Sequence, residues 1–359
     1  MEVLTKVGEF NVAKKLMFKI LHFTDTHYTR QNPENRKDIM FDAAIKKTKE
    51  VAQIGKDHKV DFYLHTGDFF NSADISDAVA GEVGKVYKKA FDKKVIVLPG
   101  GHDLRHNNIM TIEQTKLGLF GKLGIVKILN FGERVFAEKE GFKLEITGVP
   151  SETLIDRKKD LAILREKEAD FSIYMLHSMV LKENKQVGTY IPISEIQKET
   201  KANLTLIGHY HLGFETGEYF DSVMGFTKYF INPGALVRKY NFIEEIKRTP
   251  QVALICIYDD KSVDIEYIPL KSALKGEEVL DRQKMMEQRE YKEKLVKFTQ
   301  GIVDFTRDKK DINLVTDIEE IFKTMCENEP NMDDGEKIEI EKIGLAFIED
   351  AKQVLGLSR

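Results

Sequence analysis

Five short apolar stretches of the chain each end in a histidine, an aspartate or both. MFKILHF (17–23) runs into Asp25-Thr26-His27, and VDFYLH (60–65) runs into Gly67-Asp68. KVIVLP (94–99) leads to Gly100-Gly101-His102-Asp103, FSIYMLH (171–177) closes on His177, and LTLIGH (204–209) continues through His209-Tyr210-His211. Five of the nine histidines stand at these ends, which is not how histidines scattered for core packing distribute. Alternate residues of an extended chain face the same way, so Asp25 with His27, and His209 with His211, can each converge on one point. A mixed imidazole and carboxylate donor set suits manganese, iron or zinc better than calcium or magnesium alone. Any one of these pairs is a weak signal; their order and placement together point to a metal centre.

The five stretches are short, apolar and bounded by turn residues, and are expected to be buried strands. RKDIMFDAAIKKTKEVAQIGKDH (36–58) and SDAVAGEVGKVYKKAFDKK (76–94) carry apolar residues three and four apart and are expected to be helices between them. VKILNFGERVFAEKEGFKLEITGV (126–149) and VALICIYDDKSVDIEYIPL (252–270) have the pattern of antiparallel strands, the second hinged at Asp259-Asp260-Lys261. Alternating strands and helices followed by antiparallel strands predict layered sheets with helices outside, their chemistry at the strand ends.

The pattern changes near Lys271. Beyond it the chain reads as charged and helical, with VTDIEEIFKTM (315–325) and EKIEIEKIGLAFIEDAKQVLG (336–356) as further helices. We therefore expect an arm over 1–16, a main domain over 17–272 and a helical region over 273–359. Overall charge is nearly balanced, 55 basic against 59 acidic residues, which argues against a protein that coats nucleic acid generally but leaves room for a local basic groove. No apolar run is long enough to span a membrane. The N-terminus lacks the apolar core of a signal peptide, and Cys256 and Cys326 have no metal-type spacing, so a reducing cytoplasm is expected.

The order D-x-H, G-D, G-x-H-D, H, G-H-x-H resembles that of the calcineurin-like metallophosphoesterase superfamily over about residues 17–272. ILHFTDTH (20–27) and NPGALVR (232–238) are similar to its nuclease branch, the bacterial SbcD and eukaryotic meiotic-recombination nucleases. The resemblance implies a four-layer α/β/β/α sandwich of two mixed sheets. It further implies two divalent ions, manganese foremost with iron, zinc and magnesium as other candidates, bridged by Asp68 and a hydroxide. Asp25, His27 and His211 would complete one ion's set, and His177 and His209 would serve the other. His102 would stay off the metals and stabilise the transition state or protonate the leaving oxygen. Asp103 is expected either to orient His102 or to cap its loop.

Two positions depart from the resembled pattern. The family carries asparagine before the His-Asp pair, where this chain has Gly101; a water, Asn107 or Asn108 would have to take that place. The nuclease branch often carries histidine three residues after the bridging aspartate, where this chain has Asn71. Among the other histidines, His22 is expected to be buried and hydrogen-bonded, His58 to face solvent, His106 to lie on a loop, and His65 to pack near Asp68.

The resemblance makes DNA the expected substrate, and Arg30, Arg36, Lys37, Arg105 and Arg238 are candidate phosphate contacts, with Arg30, Arg105 and Arg238 foremost. It also implies docking of the C-terminal helices to the coiled coil of an SMC-like ATPase. Their apolar positions, Ile318, Ile321, Phe322 and Met325, then Ile343, Leu345, Phe347 and Val354, suit a helix-in-groove contact or internal packing. A second copy of the chain is another candidate partner. Three function classes stay open: a manganese-dependent DNA nuclease, a metallophosphatase acting on monoesters, and a catalytically weakened DNA-binding protein.

Overall fold

The computed structural model describes residues 14–281 apart from 34, 153, 183–188 and 241–242, together with the single residues 283, 286, 323 and 345. Most of the expected N-terminal arm, the C-terminal helices and Cys326 lie outside the described residues.

Four strands open the first sheet: β1 (Leu16–Phe23), β2 (Phe62–His65), β3 (Ile96–Val97) and β4 (Lys127–Ile128). The chain then builds the second from β5 (Arg134–Lys139), β6 (Phe142–Val149) and β7 (Phe171–His177). A small parallel pair follows, β8 (Val180–Leu181) with β9 (Ile191–Pro192). The second sheet is completed by β10 (Leu204–Gly208), β11 (Phe214–Asp221) and β12 (Phe226–Asn232), and the hairpin β13 (Gln251–Tyr258) and β14 (Val263–Pro269) returns to the first. The strand orders are β14-β13-β1-β2-β3-β4 and β11-β12-β10-β7-β6-β5. Both sheets are mixed: β1, β2, β3 and β4 run parallel in one, with the antiparallel hairpin β13–β14 added on the β1 side, and β6, β7, β10 and β12 run parallel in the other, with antiparallel β5 and β11 at its edges.

Strand alternation sorts the core. Phe18 and Ile20 of β1 face the second sheet, where Leu144, Ile173, Met175 and Leu206 meet them. Leu21 and Phe23 of the same strand belong to a separate core, together with Phe41 and Ala44 of α1 (Met40–His58) and Val79 and Val83 of α2 (Asp77–Ala90). Helix α2 starts on Ser76, whose hydroxyl accepts the Val79 N–H, and α1 ends on Lys59 in a left-handed conformation. On the far face of the second sheet, Tyr174, Leu176, Ile207 and Phe230 are covered by short helical turns carrying Ile155, Ala162, Ile193 and Ile196. The result is the α/β/β/α layering expected from sequence, with its last layer built from single turns rather than long helices.

The compact unit that holds both sheets runs on to Arg282, because Val279 and Leu280 are buried against Ile246. Residues 283–359 form a second unit. Among the described residues no helix is long and apolar enough to cross a membrane.

Candidate metal centre

The parallel strands bring their C-terminal ends to one edge, and the polar clusters leave from there. Two loops are stitched to each other by main-chain hydrogen bonds, Asp25 N–H to the Gly67 carbonyl at 3.1 Å and His27 N–H to the Asp68 carbonyl at 3.0 Å. His65 adds to the stitching. It accepts the Gly67 N–H on Nδ1, which leaves its Nε2–H to face the Thr26 hydroxyl at 3.1 Å. Burial lowers the pKa of His65 to about 3, so it stays neutral and serves as a brace between the loops.

The structure brings all six expected ligands into two groups. Asp25, His27, Asp68 and His211 form one, and Asp68, His177 and His209 the other, with donor atoms within 4.8 Å of one another in each. Asp68 belongs to both: its Oδ2 stands 3.6 Å from His27 Nε2 and its Oδ1 3.3 Å from His177 Nε2. In the first group, His27 and His211 bring their Nε2 atoms to 3.1 Å, and Asp25 Oδ1 lies 3.5 Å from His211 and 3.8 Å from His27. A tetrahedron drawn around an ion with bonds of ~2.1 Å has edges of about 3.4 Å, in the middle of these separations.

The polar atoms of the site fit a cation on physical grounds. Asp25 Oδ1 and His177 Nε2 are buried without a hydrogen-bond partner among the described residues, which is costly unless something else satisfies them. The two Nε2 atoms of His27 and His211, 3.1 Å apart, share one hydrogen as they stand, and with both rings in the Nδ1–H tautomer they would offer two lone pairs to one cation. His177 donates Nδ1–H to the Thr66 carbonyl at 2.7 Å, leaving Nε2 for a metal. Burial would raise the carboxyls of Asp25 and Asp68, yet the surrounding imidazoles hold both below the usual carboxylate range. Burial likewise disfavours charge on His177, but Asp68 beside it raises its pKa to about 10. A field that favours a buried imidazolium is one that also attracts a metal cation.

The backbone is bent to make this arrangement. Asp25, His27, Asp68 and His209 all have positive φ, at 53°, 43°, 51° and 84°, a conformation uncommon for residues with side chains and concentrated at functional sites. Gly100 is required by contact: a Cβ there would stand 2.1 Å from the Asp68 backbone nitrogen.

His102 is outside both groups, with Nε2 4.0 Å from Asp68 Oδ2 and its side chain 43% exposed. Its Nδ1–H is donated to the Asn71 carbonyl at 2.9 Å. Asp103 does not orient it, which corrects the catalytic expectation for that residue. The Asp103 carboxylate accepts the N–H groups of Phe69, Phe70 and Gly100 at 2.8–3.0 Å, and so ties the β2 and β3 loops together. Burial and the charge of Asp68 push its pKa up to about 7 against those three donors.

The candidate phosphate contacts fare unequally. Arg238 is buried, at 2% exposure, and donates to the carbonyls of Leu274 and Arg248, so it does not face the site. Arg36 is buried too, pairing with Asp38 and donating to the Arg238 carbonyl. With Lys47 donating to Leu236, and Arg248 to Ala235 and Val237, these side chains hold the carbonyls of the NPGALVR segment. Arg30 pairs with Glu82 at 2.7 Å, and Lys37 reaches the Glu277 carbonyl. Arg105 pairs with Asp74 but does line a hollow beside Asn71 and His102.

Sequence reasoning missed Lys239 and Asp156. Lys239 places its Nζ 3.4 Å from His102 Nε2, within the fields of Asp68 and Asp25, and Tyr240 lays its ring 5.0 Å from that of His211. No periodicity marked Lys239, since residues 233–238 are buried in succession without a strand. Asp156 accepts from Ser178 Oγ and Met179 N–H, and its Oδ2 stands 3.7 Å from His209 Nε2; nothing in its sequence context marked it. The second group opens on a cleft of about 490 Å³ lined by Asp68, His102, Asn107, Asp156, His177 and His209, with Arg157 also on its wall; the first group reaches it through the shared Asp68.

Residues 18–213 match the family model described as calcineurin-like phosphoesterase. Among solved structures the chain is similar to a Staphylococcus aureus protein described as a putative 5'-nucleotidase in complex with alpha-ketoglutarate (11% identity, TM-score 0.42), over 70% of this chain and 54% of that one. It is similar to the calcineurin-like phosphoesterase YfkN from Bacillus subtilis (14% identity, TM-score 0.39), over 72% and 91%. The protein TT1561 of Thermus thermophilus gives 10% identity and a TM-score of 0.40, over 70% and 99%. No curated protein matches the chain.

Proposed function

The chain belongs to the calcineurin-like phosphoesterase family, and on that premise we propose that it is a metal-dependent phosphodiesterase whose substrate is DNA. The carrying observation is the pair of buried donor groups sharing Asp68, with His102 beside them and off both. Asp25, His27, Asp68 and His211 would hold one divalent ion, and Asp68, His177 and His209 the second; manganese suits this donor set. Two such ions supply Lewis acidity toward phosphoryl oxygens and a water whose pKa falls to about 7.

The chain's own residues supply the rest. Because His102 gives its Nδ1–H to Asn71, its Nε2 is the ring nitrogen turned to the site, where it accepts from Lys239 and can exchange a proton with a substrate oxygen. The Lys239 ammonium beside that nitrogen is set to contact a phosphoryl oxygen. DNA is favoured by the likeness of ILHFTDTH and NPGALVR to the nuclease branch. A phosphomonoesterase is the second reading, favoured by one observation: of the expected phosphate contacts, Arg30 and Arg105 are paired with carboxylates and Arg36 and Arg238 are buried.

A time course of end-labelled linear duplex in manganese, with H102A alongside, tests the reading. Cutting that disappears in H102A supports it. Hydrolysis of p-nitrophenyl phosphate without cutting of DNA or of the bis-ester moves the assignment to a monoesterase.

The same likeness supports a role as nuclease subunit of an SbcCD-like end-processing complex. An SMC-like ATPase would dock on the apolar stripes of the C-terminal helices, positions that, except Leu345, lie outside the described residues. Deleting residues 311–359 is expected to abolish co-purification with such an ATPase and to spare hydrolysis of a simple diester; retained co-purification would sink the docking assignment.

A further inference from the structure

The two donor groups are unequal. The first has four donor residues and the second three, one of them shared. The wall of the second group on the side of β3 is Gly101, which brings no side chain. A Cβ built on Gly101 would stand 2.7 Å from Asn107 Oδ1 and 3.4 Å from Ser151 Oγ, so the space a side chain at 101 would enter is already taken by the Asn107 amide. Asn107 lines the same cleft as Asp68, His177 and His209.

The local backbone is shaped to put it there. His106 and Asn107 follow one another at φ 53° and 51°, two left-handed residues in succession inside a short turn. Such conformations are costly and persist where the surroundings demand them; asparagine tolerates them better than most residues. The neighbouring Asn108 is committed elsewhere, since its side chain accepts the Met110 N–H at 3.0 Å and starts the next turn. Among the described residues the Asn107 side-chain amide makes no hydrogen bond, and its oxygen is a hard neutral donor of the kind that completes a mixed carboxylate and imidazole set.

We propose that Asn107 supplies, from six residues downstream, the amide oxygen that Gly101 does not carry, and so completes the second cation's ligand set. Gly101 is then the residue that makes room for it. The proposal rests on the two-ion reading of the site, and its test separates the two.

Titration calorimetry with manganese on the full chain would measure ion stoichiometry and affinity for wild type, N107A, N107D and the double variant G101N/N107A. Wild type is expected to take two ions. N107A is expected to weaken the second at least about tenfold, the lower bound seen for losing even an outer partner of a ligand. N107D, which keeps an oxygen in place, and G101N/N107A, which supplies the amide from the other position, are both expected to recover it. Two ions bound by N107A with unchanged affinity would overturn the role of Asn107 and leave the centre standing. Fewer than two ions on wild type would overturn the two-ion reading and the proposal with it.

Discussion

The imidazole of His102 gives its Nδ1–H to the main-chain carbonyl of Asn71 at 2.9 Å. That bond decides which nitrogen is available for chemistry. A carbonyl only accepts, so Nδ1 keeps its hydrogen and Nε2 is left toward Asp68 and Lys239.

Replacing His102 with alanine should therefore reduce kcat by roughly 10²–10⁴ and leave metal stoichiometry unchanged. Steady-state hydrolysis of a diester and metal analysis of the same preparations check both halves. A loss of bound metal in H102A would place His102 among the ligands and contradict its position outside both groups.

Lys239→Ala should lower kcat/KM for a diester by roughly tenfold to a hundredfold, the range for a hydrogen bond to a charged group. The expected split is in KM as well as kcat, since the ammonium would bind the ground-state phosphate too. Lys239→Arg should recover part of the loss. Equal activity in all three proteins would remove Lys239 from the site.

For Asp103 the expectation is structural. Asn at this position puts an amide N–H₂ against main-chain donors, and the folded state should lose about 1–3 kcal/mol. Thermal denaturation reads this directly, and the pH profile of hydrolysis should keep its shape. An unchanged melting temperature with hydrolysis abolished would instead mark Asp103 as a group acting on His102.

Lys47 carries a pH dependence of stability. Burial, helped by the charges of Arg238 and Arg248, lowers its pKa from 10.5 to about 7. Between about pH 7 and 10 the unfolded chain holds a proton that the folded chain does not, so stability should rise with pH across that window and fall as pH drops toward 7. The slope is at most about 1.4 kcal/mol per pH unit. Lys47→Met should flatten it in denaturant titrations at pH 7, 8 and 9. An identical slope in the variant would show that Lys47 stays charged when folded.

Much of the centre was legible because it lies where short strands end. The five apolar runs located β1, β2, β3, β7 and β10, and their trailing polar residues are the donors that meet. What was not legible depends on contacts distant in sequence. For Asp103 the sequence left open whether it orients His102 or caps a loop; the structure shows the capping role, but its partners Phe69 and Phe70, more than thirty positions back, were not legible. Arg238 reads as a phosphate contact because burial of a guanidinium is rare, yet here the carbonyls of Leu274 and Arg248 receive it. Gly101 reads as an empty position, and only the fold shows the Asn107 amide oxygen 2.7 Å from where a Cβ there would stand.

If Asp68 joins two cations into one centre, electron paramagnetic resonance of the chain loaded with two equivalents of manganese shows it most directly. The expected spectrum is that of an exchange-coupled pair, replaced in D68A by isolated ions or by loss of binding. Two uncoupled ions in wild type, or a spectrum unaltered by D68A, would show that Asp68 does not bridge.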